Sequence, residues 1–206
     1  MGYAFMITPV NQDGTAPWAV VQQIQITNNV IRHVASAFDI LGLDPSTSIV
    51  TNDIVVRNNL FLDISKANWG GTGQLYMALG GSNIVFDHNT VFTDGTSVVY
   101  ADIPVNGLVF TNNIIPDNAW AVMGSSTSPG NGTLATYFPG ATFAGNVLIG
   151  ASAGLYPPGN YFPSNVADVG FTNASGPDYR LLPSSAYANA AVGGGPVGYS
   201  GPPVQP

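Results

Sequence analysis

The chain has 206 residues, of which 45% are hydrophobic but only 7% charged, and a formal net charge of −7 at pH 7. Four Lys and Arg stand against eleven acids, all Asp, so there is no cationic footprint for nucleic acid. Strongly anionic glycans are also repelled unless a divalent cation such as Ca2+ bridges them to Asp.

With no cysteine, the chain has no disulfides, thiolate catalysis or Cys-based zinc sites. No metal-ligand or cofactor motif is present, and no stretch reaches the ~20 apolar residues a bilayer span needs. Met1–Met6 lacks the basic start and long apolar run of a signal peptide, so an extracellular location implies that a leader is missing from this chain.

In chain order, residues 1–20 read as a partial first rung of a repeating coil. Tyr3-Ala4-Phe5-Met6-Ile7-Thr8-Pro9 aligns with Ser36-Ala37-Phe38-Asp39-Ile40-Leu41-Gly42. Nothing before it resembles a cap. The end is therefore expected to be covered by upstream rungs, by a partner, or by a second copy in a homo-oligomer.

Residues 21–150 carry the regular repeat. Ile24-Gln25-Ile26-Thr27-Asn28-Asn29-Val30-Ile31 recurs as Ile54–Phe61, Ile84–Val91 and Leu108–Ile115, and more weakly as Ala141–Leu148. The second Asn falls at 29, 59, 89, 113 and 146, intervals of 30, 30, 24 and 33 residues. Such a period marks a solenoid. Alternating apolar residues make short strands with one face inward, and Asn suits the sharp bend that ends them. Stacked Asn side chains could bond amide to amide as an asparagine ladder. Val55, Val85 and Val109 are expected on the outer face, under the insertion at 125–140 or another subunit.

The second strands form their own columns: Phe5, Phe38, Tyr76, Val98 and Trp120 at one level, and Ile7, Ile40, Ala78, Tyr100 and Val122 at the next. Gly42, Gly80 and Gly124 close them, with Asp102 in place of one Gly. Facing solvent, Phe38, Tyr76, Tyr100 and Trp120 would be a platform for sugar rings. Facing inward they are core, the commoner fate of large aromatics.

Residues 151–192 read as a loop-rich closing rung, with Tyr156–Pro163 an extended Pro-fixed loop. Residues 193–206 read as a Gly/Pro tail, frayed or draped on the surface. The whole is one domain.

Asn-turned rungs of this length, with Asp178-Tyr179-Arg180-Leu181-Leu182-Pro183-Ser184-Ser185-Ala186-Tyr187, resemble the right-handed parallel β-helix proteins of the pectate-lyase-like superfamily. More closely, the chain is similar to the C-terminal half of secreted bacterial parallel β-helix repeat proteins. There a D-Y-R-L-x-P-x-S-P-Y-like segment closes the last rung, and Ala186 replaces its Pro. The resemblance covers nearly the whole chain and implies an all-β, right-handed parallel β-helix of about five rungs acting on or binding a carbohydrate polymer. It selects no reaction, since this fold hosts lyases, hydrolases, epimerases and non-catalytic binders.

Three groups could carry chemistry. Asp87 and His88 are adjacent, as a general acid–base pair requires, although His88 occupies a turn column of Asn and Gly. Arg57 shares a column with Asp87, where it could bind a sugar carboxylate, act as a lyase base, or simply form a surface ion pair. Asp39 and Asp102 are two rungs apart, ~9.6 Å of strand spacing, near the upper limit for an inverting glycosidase pair. His33 has no evident partner. Two functions stand: a polysaccharide lyase or glycoside hydrolase, and a non-catalytic binding or adhesive solenoid that assembles end to end.

Overall fold

The computed structural model describes residues 2–176 and 178–204. The chain winds as a parallel β-helix. Its first rung holds β1 (Tyr3–Ile7), β2 (Gln22–Thr27) and β3 (Val30–Val34). The second holds β4 (Ser36–Leu41), β5 (Asn52–Arg57), β6 (Leu60–Ile64) and a short helix, α1 (Lys66–Trp69). The third is β7 (Tyr76–Leu79), β8 (Ser82–Asp87) and β9 (Thr90–Thr93), and the fourth β10 (Ser97–Ile103), β11 (Val109–Thr111) and β12 (Ile114–Pro116). The fifth adds β13 (Trp120–Gly124), helix α2 (Asn131–Tyr137), β14 (Thr142–Ala144) and β15 (Val147–Ile149). Each strand pairs with its counterpart one rung away. The result is three five-stranded sheets: A from the first strand of each rung, B from the second, C from the third.

The period-2 alternation sets what goes inside. Ile54 and Val56 of β5 are wholly buried while Val55 between them is half-exposed. The coil is filled by rings: Phe5 stacks on Phe38 at 4.8 Å, Tyr76 on Phe86 at 4.9 Å and Phe110 on Phe143 at 5.3 Å. Phe5–Phe38 and Phe110–Phe143 are pairs at matching register positions, and Tyr76–Phe86 bridges sheets A and B.

The two asparagines of each turn divide the work. Asn28, Asn58, His88, Asn112 and Gly145 all take positive φ, between 53° and 69°. Asn, Gly and His enter that region more readily than most residues, so this column is fixed by backbone conformation. The following residues, Asn59, Asn89, Asn113 and Asn146, are fully buried and form the ladder. Asn59 Oδ1 accepts from the backbone N–H of Asn29 (2.9 Å) and from its Nδ2 (3.0 Å), and Asn59 Nδ2 donates to Ile26 O at 2.8 Å. The same three bonds repeat at Asn89, Asn113 and Asn146.

The structure departs from the sequence expectations in five places. The ladder has a sixth member, Asn160, whose Oδ1 accepts from Asn146 N at 3.0 Å, so Tyr156–Pro163 is a truncated rung rather than a free loop. In sheet A the register is Phe5–Phe38–Tyr76–Val99–Val122, not the Val98 and Trp120 column expected. A bulge between Ala101 and Ile103 makes Asp102 an extra residue, so it does not stand in for glycine. Helix α2 packs on β10 and β13, so the 125–140 insertion leaves the Val55–Val85–Val109 stripe of sheet B half-exposed.

The fifth departure is at the C-terminus, where residues read as a closing rung form a hairpin. The hairpin of β16 (Phe171–Asn173) and β17 (Asp178–Leu181) covers the outer face of sheet C, where Ile114, Val147 and Ile149 pack with Val169, Phe171 and Val197. The tail then runs back along the turn column. Gly198 N donates to Asn112 O (2.8 Å), Tyr199 N to Thr90 Oγ1 (2.9 Å) and Ser200 N to Asn58 Oδ1 (2.8 Å). Val197 is wholly buried, so this part of the tail is draped, not frayed.

Candidate functional site

The residues singled out in the sequence separate onto two sides of the coil. Arg57, Asp87 and His88 meet at the turn from sheet B to sheet C. Asp87 Oδ2 lies 3.1 Å from Arg57 Nε and 2.9 Å from His88 Nδ1, while Oδ1 accepts from Thr111 Oγ1 (2.8 Å) and Asn112 Nδ2 (2.9 Å). Burial raises the carboxyl pKa, but hydrogen bonds from His88, Thr111 and Asn112 outweigh it and hold the group at about 2.

A carboxylate with four partners has little accepting capacity left and is no proton donor near neutral pH. The tail lies beside it, with Val192 N on Asn112 Oδ1 at 2.6 Å and Ser200 N on Asn58 Oδ1, on either side of His88 in the turn column. This geometry makes the cluster an anchor for the turn and the tail.

The second group lies on the outer face of sheet A. Register places Met6, Asp39, Met77, Tyr100 and Met123 in one column, one residue per rung. Asp39 and Tyr100 are therefore brought onto one surface, two strand spacings apart. Phe38 and Tyr76 point the other way and are wholly buried, so they offer no ring face to a sugar. Trp120 starts β13 opposite Ser97 and is partly exposed.

Asp102 is exposed on the bulge, two residues beyond Tyr100. Two strand spacings and two residues of rise put its backbone ~12 Å from that of Asp39. Asp39 itself is unusual: its Oδ1 is buried and has no hydrogen-bond partner, and desolvation raises its pKa. Where the strands of sheet A end, Leu43, Val50, Leu79, Ile103 and Pro104 line an apolar cavity of about 280 Å³. Backbones of successive rungs meet there, since a Cβ on Gly42 would sit 2.4 Å from Gly81 N.

A third cluster was not anticipated. His33 and Asp63, one rung apart in sheet C, both take positive φ and bond through Nδ1 and Oδ2 at 2.8 Å. Helix α1 completes the cluster. Ser65 caps its N-terminus, and the Asp94 carboxylate accepts from the Lys66 and Ala67 N–H groups. The helix then presents Asn68 Nδ2 to Asp63 Oδ1 (2.7 Å) and Trp69 Nε1 to Asp63 Oδ2 (2.8 Å). The bond from His33, together with those from Asn68 and Trp69, lowers the Asp63 pKa. The sequence held one signal for this pairing: 33 and 63 differ by 30, the interval of the ladder.

Among the described residues no three His, Cys, Asp or Glu come together as metal ligands, and no helix is long and apolar enough to cross a membrane. The protein-family models, the curated proteins and the solved structures searched contain no match to this chain.

Proposed function

We propose that this is a secreted, glycan-binding β-helix of the pectate-lyase-like kind, with its binding face on the outside of sheet A. The observation that supports this reading is the partly exposed outer column of Met6, Asp39, Met77, Tyr100 and Met123, one residue per rung. Asp39 is half-exposed in this column and can accept from a ligand hydroxyl. Sugar rings offer hydroxyl rims to such an acceptor and C–H faces to thioethers and a phenol ring.

Binding is favoured over cleavage because Asp102 sits on the bulge rather than in the column of Asp39, and Arg57 serves the turn on another side. The test is calorimetry against a panel of neutral and uronic oligosaccharides, with and without Ca2+. A glycan should bind, and Asp39→Asn and Tyr100→Ala should each weaken it by about tenfold. No binding across the panel would end this reading.

A second reading has its own observation. In the first rung, Asn29 Nδ2 turns to Thr27 O of its own strand, and Ile24 and Val30 are exposed along that edge. Another copy could extend the three sheets there by strand pairing. Light scattering over a concentration series tests it: growth in mass with concentration supports stacking, and a constant monomer mass rejects it.

A further inference from the structure

We infer that Trp69, Tyr3 and His33 form a second sugar subsite, one that takes a single uncharged pyranose ring at the corner between sheets C and A. The inference rests on the glycan-binding reading but on different residues. Trp69 is 49% exposed. An exposed indole normally keeps its rotamer freedom, yet this one is tied by Nε1 to Asp63, and His33 meets its ring edge-on at 5.6 Å and 60°. Asp63 thus spends its acceptor capacity orienting solvent-facing groups, a service that stability alone does not require. An aromatic face held still before a ligand arrives loses little entropy on binding.

Beside the indole is a recess of about 280 Å³, bounded by Gly2, Tyr3, Val34, Ala35 and Trp69. That volume is at the small end for a ligand pocket and suits one ring at the end or side of a chain. The polar ring set against Trp69 is that of His33. His33 is more than half exposed and uses Nδ1 on Asp63, and among the described residues its Nε2 has no partner.

The charge nearby selects against anions. Asp39 acts on Tyr3 electrostatically, and with burial first among the causes raises its pKa. Asp63 and Asp94 border α1. Asp39, Asp63 and Asp94 around Tyr3 and α1 outnumber the cations Lys66 of α1 and Arg32 of β3, a balance that favours a neutral sugar over a uronate.

The experiment is calorimetric titration of the whole chain with cellohexaose, xylohexaose, mannohexaose and oligogalacturonate. It compares wild type with Trp69→Ala, Trp69→Phe, Asp63→Ala and Tyr100→Ala, each checked for folding by circular dichroism. At least one neutral oligosaccharide should bind. Trp69→Ala should then lose about tenfold in affinity, with Trp69→Phe between it and wild type. Asp63→Ala should weaken binding although the indole is kept. If a glycan binds and only Tyr100→Ala weakens it, the subsite is wrong and the face of sheet A stands. Preference for oligogalacturonate overturns the neutral-sugar assignment, and no binding to any of the four overturns the subsite and counts against the face.

Discussion

Tyr76 carries a hydroxyl into the ring-filled interior and gives it no partner. Burial pushes its pKa far up, so the group remains neutral and its cost is an unmade hydrogen bond. Tyr76→Phe should therefore stabilise the protein by about 1 kcal/mol, read as a higher urea midpoint with unchanged slope. A lower midpoint would mean that a trapped water serves the hydroxyl.

Asp87 has the opposite sign. Its folded pKa of about 2 lies below the ordinary 3.8, so its contribution is complete above about pH 4 and disappears as pH falls towards 2. That difference corresponds to about 2 kcal/mol at neutral pH. Urea midpoints of wild type should fall across this window more steeply than those of Asp87→Asn, and parallel curves would exclude the linkage. At this scale the sequence was only partly legible. The pairing of Arg57, Asp87 and His88 could be read from their column, but the saturation of Asp87 depends on Thr111 and Asn112 from the next rung. Likewise, nothing local to Asp39 shows that one of its oxygens is buried.

Among the elements, the ladder was the most legible, because one residue type recurs at one turn. Its energetics depend on position. Asn89→Ala would strand the Asn59 N–H, the Val56 carbonyl and one acceptor of Asn113 at once, all in the interior. The expected loss is about 3–5 kcal/mol. Asn29→Ala, at the edge, removes bonds on one side only and should cost about 1 kcal/mol. Similar losses for the two in chemical denaturation would mean that the ladder is not what holds the turns.

Sheet A was less legible, for a definite reason. Its strands have no marker like Asn, and the bulge at Asp102 inserts one residue without changing the apolar alternation around it. A one-residue slip exchanges inside for outside. That is how Tyr100, aligned from sequence with the core position of Ala78, comes to share the outer column of Asp39.

For the molecule as a whole, the period predicted the coil, but no repeat predicted how it is closed. The residues that close it, from Asn160 to Ser200, are each used once. Their role rests on single contacts, such as Gly198, where a Cβ would come within 2.5 Å of Ile114 and Thr90. A solenoid is stabilised between nearest neighbours. Here the tail adds bonds spanning 142 and 109 residues of sequence. Truncation after Gly195 removes the burial of Val197 and Tyr199, a loss of about 3 kcal/mol. It should also broaden thermal unfolding, because the rungs lose their long-range coupling. Gly198→Ala should do the same more mildly. A transition that stays as sharp as wild type after truncation would show that the rungs need no such link.

The direction of that tail also bears on how the molecule carries load. Its bonds fall in sequence on Asn112, then Thr90, then Asn58, from the fourth rung to the second. A pull that lifts the C-terminus away from the coil does not tear them in parallel. It peels them one after another, at low force, and the extended chain so released lengthens the tether before any rung is strained. A particle anchored through this end would feel a soft, reversible slack first and a stiff coil only afterwards.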